Sequence, residues 1–361
     1  MANKIGTITF HRALNYGAIL QCFALQKAVQ DLGYDSEVLD YDCKMISKDY
    51  KLVRMDSKIS FIKSLLLFPL YYRKKKNYER FINKYISVSR KYTHRNLTEA
   101  AEEYAAVITG SDQVWNYKLT GADSAYFLDF IPERRKRLSY AASFGIKKIP
   151  EDRKNFYQKN LMGMGHISVR EKTAASMVER LCNCKAEVVL DPVFLQTAEQ
   201  WRKIMPKTKE KGYIFVYMPG AHTMETAVNL ARRKGLKIIY CSYDISLRST
   251  KKNVGDVRLS MGPDEFIALL DRADYVVTGS FHATAFSLIL QKKFFVEVPQ
   301  TVGSRITDLL STFDLCDRIF DHADSPENKD IDWSKVGEKM DQLRQQSLTS
   351  LQHSIEAAVH D

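Results

Sequence analysis

The chain is poor in the features that mark several common protein classes. Among its 361 residues are only six cysteines, and none of them forms a C-x-x-C pair. No apolar run reaches the length of a transmembrane helix, and neither G-x-G-x-x-G nor G-x-S-x-G occurs. These absences argue against a disulfide scaffold, a membrane-spanning protein, a dinucleotide-binding enzyme with the usual fingerprint and an α/β-hydrolase.

The cysteines are scattered through apolar segments, and the chain runs from Lys4 into a strand without a secretory apolar region. We therefore expect reduced cysteines in the core of a cytoplasmic protein. The spacing of His and Cys residues offers no ready metal site, and we expect none. The cysteines are Cys22, Cys43, Cys182, Cys184, Cys241 and Cys316.

The composition is that of a globular protein, with 45% hydrophobic and 27% charged residues. The formal net charge of +11 favours an acidic partner: nucleic acid, a phosphorylated small molecule or an anionic membrane surface. The basic residues are dispersed and none of the standard nucleic-acid motifs is present, so we expect no nucleic-acid partner.

The stretch from Ala273 to Val298 predicts a strand, a polar turn, a helix and a second strand. Gly279 and Ser280 lie in the turn, and His282 falls in the first turn of the helix. The free N–H groups of a helix start attract anions such as phosphate, and an imidazole there can donate a hydrogen bond or a proton. Alternatively, Ser280 only caps the helix and His282 is a packing residue.

The N-terminal segment predicts a βαβ unit, with strands at Lys4–Phe10 and Ser36–Tyr41 and a helix from Ala18 to Leu32. The loop between the first strand and the helix reads HRALNYG. In open α/β folds this loop lies at the edge where ligands bind, so its polar members are candidate pocket residues, or else parts of a surface turn. These candidates are His11, Asn15 and Tyr16.

Two further turns follow predicted strands. Residues 109–116 read TGSDQVWN, and Ser111, Asp112 and Gln113 offer polar groups after the strand Tyr104–Ile108. Asp112 can serve as a general base or as a helix cap. Arg170 follows the short strand Ile167–Val169 and is a candidate clamp for a carboxylate or phosphate, or else an ion-pair partner of a neighbour such as Glu171.

Strands alternate with helices in both halves of the chain, which predicts an α/β fold of two Rossmann-like doubly wound domains facing a cleft, as in GT-B proteins. A polar, Lys-rich connector begins at Thr197. We place an N-terminal, acceptor-side domain at 1–196, a C-terminal, donor-side domain at 197–330, and a closing helix at 331–361 that could cross back onto the first domain.

The segment Lys58–Lys76 combines Leu, Phe and Tyr with a basic end from Arg73 to Lys76. Such a segment suits contact with an anionic membrane, and a core-facing helical hairpin with a solvated basic end is the alternative. Pro69 is expected to prevent a continuous helix.

Three segments together resemble the polysaccharide pyruvyl transferase family: TFHRALNYGAILQCFALQKAV near the start, the TGSDQVWN turn, and the pair ISVRE and TGSFHATAF. The resemblance runs from about Lys4 to Val298. It implies two domains arranged as in GT-B glycosyltransferases. It also implies transfer of a pyruvyl group from phosphoenolpyruvate onto two hydroxyls of a sugar, giving a cyclic ketal in a surface polysaccharide such as a capsule or exopolysaccharide, with no cofactor.

The resemblance also implies roles for single residues. His282 would be the general acid or a phosphate ligand, and Arg170 would hold the charged groups of the donor. Family members carry an Arg two residues before this His, where the present chain has Ser280. The donor would then depend on Arg170, the helix start and another cation, for which Arg305 is the candidate.

The residues support a consistent mechanism, in which the donor's methylene carbon is protonated and Asp112 or His11 relieves a sugar hydroxyl of its proton. The acceptor would be a sugar or lipid-linked oligosaccharide at the inner face of the plasma membrane. Two other functions stay open. One is a nucleotide-sugar glycosyltransferase with Glu297 as the acidic residue for the ribose, and the other is a non-catalytic protein that binds through its basic surface.

Overall fold

The computed structural model describes residues 4–49, 58–241, 255–299, 304–320 and 329–360. Contacts divide the chain into two compact units. The first consists of Met1–Lys51, Ile82–Gln196 and Asp341–Asp361, and the second of Leu52–Phe81 and Thr197–Met340. The end of the chain therefore groups with the first unit, and so does the segment between residues 82 and 196.

The strands of the first unit are all short and mostly buried. They are β1 (Lys4–Ile8), β2 (Asp35–Tyr41), β3 (Val88–Tyr92), β4 (Ala106–Thr109), β5 (Arg137–Ala142), β6 (His166–Val169) and β7 (Glu187–Val188). Every neighbouring pair is parallel, and the order across the sheet is β3-β2-β1-β4-β5-β6-β7. This is the order of a doubly wound sheet, in which β2 and β3 extend the sheet to one side of β1 and β4 to β7 extend it to the other, so that the strand order reverses between β1 and β4.

The helices that precede residue 190 are α1 (Tyr16–Asp31), α2 (Lys44–Asp49), α3 (Lys58–Tyr85), α4 (Ala100–Glu103), α5 (Tyr117–Thr120), α6 (Lys154–Met162) and α7 (Lys172–Cys182). Alternate residues of each strand point to opposite faces of the sheet. Ala106 and Ile108 therefore share a core with Leu25 of α1, whereas Val107 faces the core that contains Val178 of α7. Helices cover both faces of the first sheet.

The second unit repeats this plan. Its strands are β8 (Tyr213–Tyr217), β9 (Lys237–Cys241), β10 (Asp256–Arg258), β11 (Tyr275–Thr278), β12 (Lys293–Glu297) and β13 (Ile319–Phe320). The helices are α8 (Ala198–Ile204), α9 (Thr223–Lys234), α10 (Pro263–Arg272), α11 (Phe281–Ile289), α12 (Ser304–Thr312) and α13 (Trp333–His360), the last of which continues into the first unit. The described strands pair in parallel in the order β10-β9-β8-β11-β12-β13.

The strands of the second sheet also bury both faces. Ile214 and Val216 of β8 pack with Leu230 of α9. The intervening Phe215 points the other way, where its ring lies 5.4 Å from the ring of Phe266 on α10 in an edge-on arrangement. Burial on two sides explains why these strands are short apolar runs rather than alternating ones, and it confirms the prediction of parallel α/β sheets in both halves.

Helix α3 corrects one prediction. It is continuous for 28 residues with Pro69 inside it, although we expected the proline to interrupt it. A proline removes one backbone hydrogen bond and crowds the preceding turn, which costs about 3 kcal/mol. Pro69 lies on the exposed side of the helix, where the carbonyl that loses its partner can tilt toward water, so the helix accommodates it.

The cysteines correct a second prediction. All six are free thiols, and Cys22, Cys43 and Cys241 are buried as expected. Cys182 and Cys184 at the end of α7 are only half-buried and Cys316 is exposed, so core positions are wrong for these three. In the part of the chain that the structure describes, no helix has both the length and the apolar character to cross a bilayer.

Candidate active site

The turns singled out in the first unit meet at one place on the sheet. The loop after β1 contains His11 and Asn15, and the loop after β4 contains Ser111 and Asp112. β1 and β4 are neighbours at the point where the strand order reverses. At such a point the two loops lead away on opposite faces and leave a crevice outside the carboxyl ends of the strands, which is the usual ligand site of this architecture. Thr9 Oγ1 donates to the Ser111 carbonyl oxygen at 3.0 Å and ties the two loops together.

Arg170 follows β6 and lies among three carboxylates of the same unit. Its Nη1 donates to Asp191 Oδ2 at 2.9 Å and to Ser111 Oγ at 3.3 Å, and Ser111 Oγ donates to the same Asp191 oxygen at 2.8 Å. Asp112 Oδ1 lies 3.6 Å from Nη2 of Arg170, and Glu171 Oε2 lies 3.5 Å from its Nε. The carboxylates therefore position this guanidinium.

The electrostatics of this network keep Arg170 charged. Its side chain is 1% exposed, and burial acts to lower its pKa, but the carboxylates of Asp191, Glu171 and Asp112 raise the pKa above its usual value. The arginine is thus an ion-pair partner inside the unit. Its contact with a donor stays a prediction, and so does a substrate contact for Ser111, whose side chain is fully buried.

Asp191 and Glu171 were not among the predicted site residues. Asp191 is fully buried and follows β7 in the same way that Asp112 follows β4, and its Oδ1 accepts from the Val193 N–H at 3.1 Å. Glu171 Oε1 accepts from Ser143 Oγ at 2.6 Å. The available signal was their position after predicted strands, Glu171 after Ile167–Val169 and Asp191 after Glu187–Leu190, because side chains at the ends of neighbouring strands converge.

Asp112 has an unusual backbone conformation. Its φ of 80° is in the left-handed region, which is uncommon for a residue with a side chain and is concentrated at functional turns. Its Oδ1 accepts from the Gln113 N–H at 2.8 Å, and its side chain is 14% exposed. Among the described residues, Oδ2 of Asp112 has no hydrogen bond. One carboxylate oxygen is therefore held and the other is available to a substrate.

The other predicted residues of these loops serve the local structure. Asn15 caps α1 by accepting from the Ala18 N–H at 3.3 Å, and Tyr16 lies in the first turn of that helix with 1% of its surface exposed. Gln113 Oε1 accepts from Asn116 Nδ2 at 2.9 Å. The helix begins two residues earlier than predicted because Asn15 provides the cap. Substrate contacts of Asn15, Tyr16 and Gln113 stay predictions.

His11 is held by acceptors on both sides. Its Nε2 lies 3.1 Å from Asp40 Oδ1 and its Nδ1 lies 3.3 Å from the Thr9 carbonyl oxygen. Arg12 also binds Asp40, with its Nε and Nη2 on the two carboxylate oxygens. The His11 side chain is 3% exposed, so the pair of His11 and Asp40 positions the loop from within.

Asp40 is the most strongly perturbed acid of this set. Burial acts to raise the pKa of Asp40, but hydrogen bonds and charge from His11 and Arg12 lower it to about 2. The carboxylate is therefore charged throughout the physiological range. Asp40 was not among the predicted site residues, although it lies in β2 and contacts His11 of the predicted loop.

The predicted strand, turn and helix are all present in the second unit. The strand is β11, and the turn and α11 follow its carboxyl end. β11 neighbours β8 at the point where the strand order of this sheet reverses. The Gly279 N–H donates to the Met218 carbonyl oxygen at 3.0 Å. A Cβ at Gly279 would lie 2.8 Å from that oxygen, so this close approach requires glycine. Ser280 caps α11 by accepting from the Ala283 N–H at 3.4 Å.

His282 is the second residue of α11, in the first helical turn as predicted, and it is 9% exposed. Its ring lies edge-on to the Phe281 ring at 5.2 Å. Arg305 also contacts that phenylalanine, with Cζ 6.0 Å from the centre of the Phe281 ring. The helix start and a guanidinium are thus near one another within this unit, and an anion at the helix start is favoured by both.

Glu297 ends β12 and binds the start of α9. It accepts from the Thr223 N–H at 2.6 Å and from the His222 N–H at 3.0 Å, and from Thr223 Oγ1 at 2.5 Å. Burial acts to raise the pKa of Glu297, but these hydrogen bonds lower it. The carboxylate thus takes the place that an anion would occupy at this helix start.

Within the described residues, no group of three or more His, Cys, Asp or Glu side chains is arranged to hold a metal ion.

The family model of polysaccharide pyruvyl transferases matches residues 15–297. This match spans well over half of the chain. The chain belongs to the polysaccharide pyruvyl transferase family.

Solved structures show the same architecture. An assigned UDP-N-acetylglucosamine 2-epimerase from Listeria monocytogenes superposes with a TM-score of 0.52 at 11% identity, covering 99% of this chain and 94% of the other. The UDP complex of MnaA from S. aureus superposes with a TM-score of 0.50 at 12% identity, covering 96% and 91%. These neighbours have the GT-B fold, which confirms the predicted fold class. A comparison with curated protein sequences gave no match.

In this pyruvyl transferase family member, the matched region contains Asp112, Arg170, Ser280 and His282 but ends before Arg305 and begins after His11. The resemblance stated from the sequence is confirmed as a family membership. The roles of the individual residues stay predictions.

Proposed function

We propose that the protein transfers a pyruvyl group from phosphoenolpyruvate to two hydroxyls of one sugar in a surface polysaccharide precursor, such as that of a capsule or exopolysaccharide, and forms a cyclic ketal. The observation that carries the proposal is the family match over residues 15–297. The position of Asp112 and His282, each after a strand where the strand order of its sheet reverses, supports it.

The first step in this proposal is protonation. His282 gives a proton to the methylene carbon of phosphoenolpyruvate, and the neighbouring carbon becomes electrophilic. An imidazole suits this step because its ordinary pKa lies near neutral pH. The N–H groups at the start of α11 stabilise negative charge on the donor.

The second step joins the sugar. A sugar hydroxyl attacks the electrophilic carbon and loses its proton to a base, and the C–O bond to phosphate then breaks. The second hydroxyl attacks the same carbon and closes the ring. One of the two hydroxyl protons replaces the proton that His282 gave to carbon, and the other leaves with inorganic phosphate, so the overall reaction is balanced.

We assign the base to Asp112 rather than His11. The Asp112 side chain is 14% exposed, and only one of its oxygens is engaged by Gln113 and Arg170. Both ring nitrogens of His11 lie within hydrogen-bond distance of acceptors, and its side chain is 3% exposed. Because both of its ring nitrogens are occupied by partners within the unit, His11 positions the loop instead.

The donor's phosphate and carboxylate need cations. Arg170 is committed to Asp191 within its own network. Family members carry an arginine at the position of Ser280. We assign its role in this chain to Arg305, which lies beside Phe281. The reaction requires no cofactor in this proposal, because every proton it moves has a protein or substrate group to receive it.

Incubation of the full chain with phosphoenolpyruvate and a panel of lipid-linked and nitrophenyl glycosides tests the proposal. We expect acceptor-dependent phosphate release together with a product that has gained the mass of a ketal-linked pyruvyl group. Phosphate release without that product would contradict the transfer. Thermal stabilisation by UDP-sugars but not by phosphoenolpyruvate would favour a glycosyltransferase instead. The capture of Glu297 by Thr223 argues against that role, since the carboxylate is no longer free for a ribose.

We further propose that the protein acts on its acceptor at the inner face of the plasma membrane, and that α3 makes the contact. Leu65, Leu66, Phe68 and Tyr72 are 50%, 76%, 37% and 44% exposed. The Phe68 and Tyr72 rings stack at 5.8 Å. A helix face that exposes aliphatic and aromatic side chains and continues into basic ones fits an anionic bilayer surface.

The basic end of this face is smaller than predicted. Arg73, Lys75 and Lys76 are exposed, and Lys76 lies 5.4 Å from the centre of the Tyr72 ring. Lys74 is 4% exposed, and burial lowers its pKa, so it does not take part in the surface. The side chains of residues 58–64, which complete the predicted segment, lie outside the described ones.

Flotation with vesicles tests the contact. We expect the wild-type chain to float with phosphatidylcholine vesicles that contain phosphatidylglycerol, and a Leu66→Glu, Phe68→Glu variant to remain in the soluble fraction. Met162→Glu is the matched control, because Met162 is 55% exposed in the other unit. Equal flotation of all three chains would end the proposal.

A further inference from the structure

The first unit contains a cavity that the proposed reaction does not use. Its volume is about 1020 Å³, which is enough for a ligand the size of a phosphorylated sugar. Its walls include Leu138, His166 and Glu187, which lie at the starts of β5, β6 and β7, and residues from the part of α13 that belongs to this unit. The cavity is therefore at the amino edge of the sheet, opposite to the edge that holds Asp112.

The charged lining of the cavity is mostly basic. Arg134, Arg135, His166 and His353 line it, and Glu187 is the single carboxylate among the lining residues. Two guanidinium groups in one cavity favour an anion over a neutral or cationic ligand.

The two arginines keep donors for a ligand. Arg134 donates through Nε to the Met164 carbonyl oxygen at 3.0 Å, and among the described residues its two terminal nitrogens have no hydrogen bond. Arg135 donates through Nη1 to the Ala358 carbonyl oxygen at 2.7 Å, and its Nη2 lies 3.0 Å from Glu133 Oε2. Backbone contacts thus fix the direction of both side chains, which is typical of a preorganised anion site.

His166 is an unsatisfied group in this wall. Its Nε2 is buried and has no hydrogen-bond partner in the described part of the chain, and Glu187 Oε2 lies 3.7 Å away. That Glu187 oxygen accepts from Ser350 Oγ at 2.6 Å. Burial lowers the pKa of His166, which Glu187 only partly offsets. Because Nε2 is buried, His166 contributes to the wall of the cavity through its ring.

The rest of the polar lining suits the hydroxyls of a sugar. Amides and hydroxyls offer both donors and acceptors, as recognition of sugar hydroxyls requires. They belong to Gln345, Gln346, Thr349, Ser350 and Ser354, on successive turns of α13.

The position of the cavity separates it from the candidate active site. β6 carries His166 at its start and is followed by Arg170, and β7 carries Glu187 at its start and is followed by Asp191 after two further residues. Four residues of extended chain span about 13 Å. A ligand in the cavity therefore does not reach the Arg170 network.

We propose that this cavity is a second binding site, which takes a phosphorylated monosaccharide. The phosphate lies against Arg134, Arg135 and His353, and the sugar hydroxyls contact the amides and hydroxyls of α13. This site is independent of the proposed transfer reaction, so failure of one does not entail failure of the other.

Isothermal titration of the full chain tests the proposal with glucose 1-phosphate, glucose and inorganic phosphate as probes. We expect saturable binding of glucose 1-phosphate, weaker binding of phosphate and none of glucose. His353→Gln and Arg134→Gln should each weaken binding of glucose 1-phosphate about tenfold or more, since each removes a hydrogen-bond donor to the phosphate. Arg180→Gln, an exposed change outside the cavity, is the control and should leave the affinity unchanged.

Three results would overturn the proposal. The first is no saturable binding of glucose 1-phosphate to the wild-type chain. The second is binding that His353→Gln leaves unchanged; this variant also guards against misfolding of Arg134→Gln, because the His353 side chain is exposed. The third is competition by phosphoenolpyruvate, which would place the probe in the donor site.

Discussion

Replacement of Asp40 by Asn tests the electrostatic description of the N-terminal loop. Asp40 accepts from His11 Nε2 at 3.1 Å and binds the Arg12 guanidinium through both of its oxygens. Asn keeps the size of the side chain but removes its charge, and its NH₂ group cannot accept from either neighbour. We therefore expect the first unit to lose stability.

The magnitude follows from the pKa. A carboxyl whose pKa falls from 3.8 to about 2 on folding contributes about 2 kcal/mol of stability at pH 7. A depressed pKa means that this contribution is complete above the pKa of the unfolded chain and is lost as the pH falls through the folded value. Linkage then predicts that about 1 kcal/mol of it disappears between pH 5 and pH 3.

The assay is urea unfolding followed by the fluorescence of Trp115, which is fully buried in the first unit. Both the wild-type and the Asp40→Asn chains carry Trp201→Phe and Trp333→Phe, so that Trp115 is the reporter and the effects of these changes cancel in the difference. Asp31→Asn is the control. Asp31 forms an exposed pair with Lys27, so this change should alter the free energy of unfolding by less than about 0.5 kcal/mol.

We expect Asp40→Asn to lower the free energy of unfolding by about 2 kcal/mol at pH 7 and the difference from wild type to shrink toward pH 3. A difference that stays constant between pH 5 and pH 3 would refute the reasoning, because the effect would then come from packing rather than from the charge of Asp40.

Three further variants address the proposed chemistry and the Arg170 network. His282→Asn should lower kcat about 10²-fold or more while leaving thermal unfolding unchanged, because the general acid is lost; near-normal ketal formation would remove His282 from the mechanism. Asp112→Asn should lower kcat by a similar factor, about 10²-fold, and a loss confined to KM would instead indicate a binding role. Asp191→Asn should destabilise the first unit by roughly 3 kcal/mol in urea unfolding, because it removes a fully buried partner of Arg170. Glu199→Gln, at an exposed pair, is the control, and an equal effect of both changes would contradict the network.

Local patterns were sufficient for much of the second unit. The sequence predicts a helix at Thr223–Lys234 and a strand at Lys237–Cys241, and the structure has both elements with these bounds. The helix is amphipathic and ends before Gly235, which adopts a φ of 65°. The strand is a short apolar run between turn residues. Where neighbouring residues carry the signal, the fold follows from the sequence directly.

Two edge strands, β3 and β10, were not predicted from the sequence. β3 contains Arg90 and Lys91 and is largely exposed, and β10 has three residues, so neither has an apolar pattern. Pairing with β2 and β9 makes them strands. Their hydrogen bonds come from a neighbour that is distant in sequence, which is why tertiary context overrides a weak local preference.

The amino-acid sequence alone determined the alternation of strands and helices, the turns after β1, β4 and β11, and the family. The tertiary structure decided the contacts, the charge and the burial of the side chains in these turns. Arg170 contacts Asp191, which is 21 residues away in the sequence, and His11 contacts Asp40, which is 29 residues away. Charge and burial depend on such distant neighbours, and only the packed sheet brings them within hydrogen-bond distance.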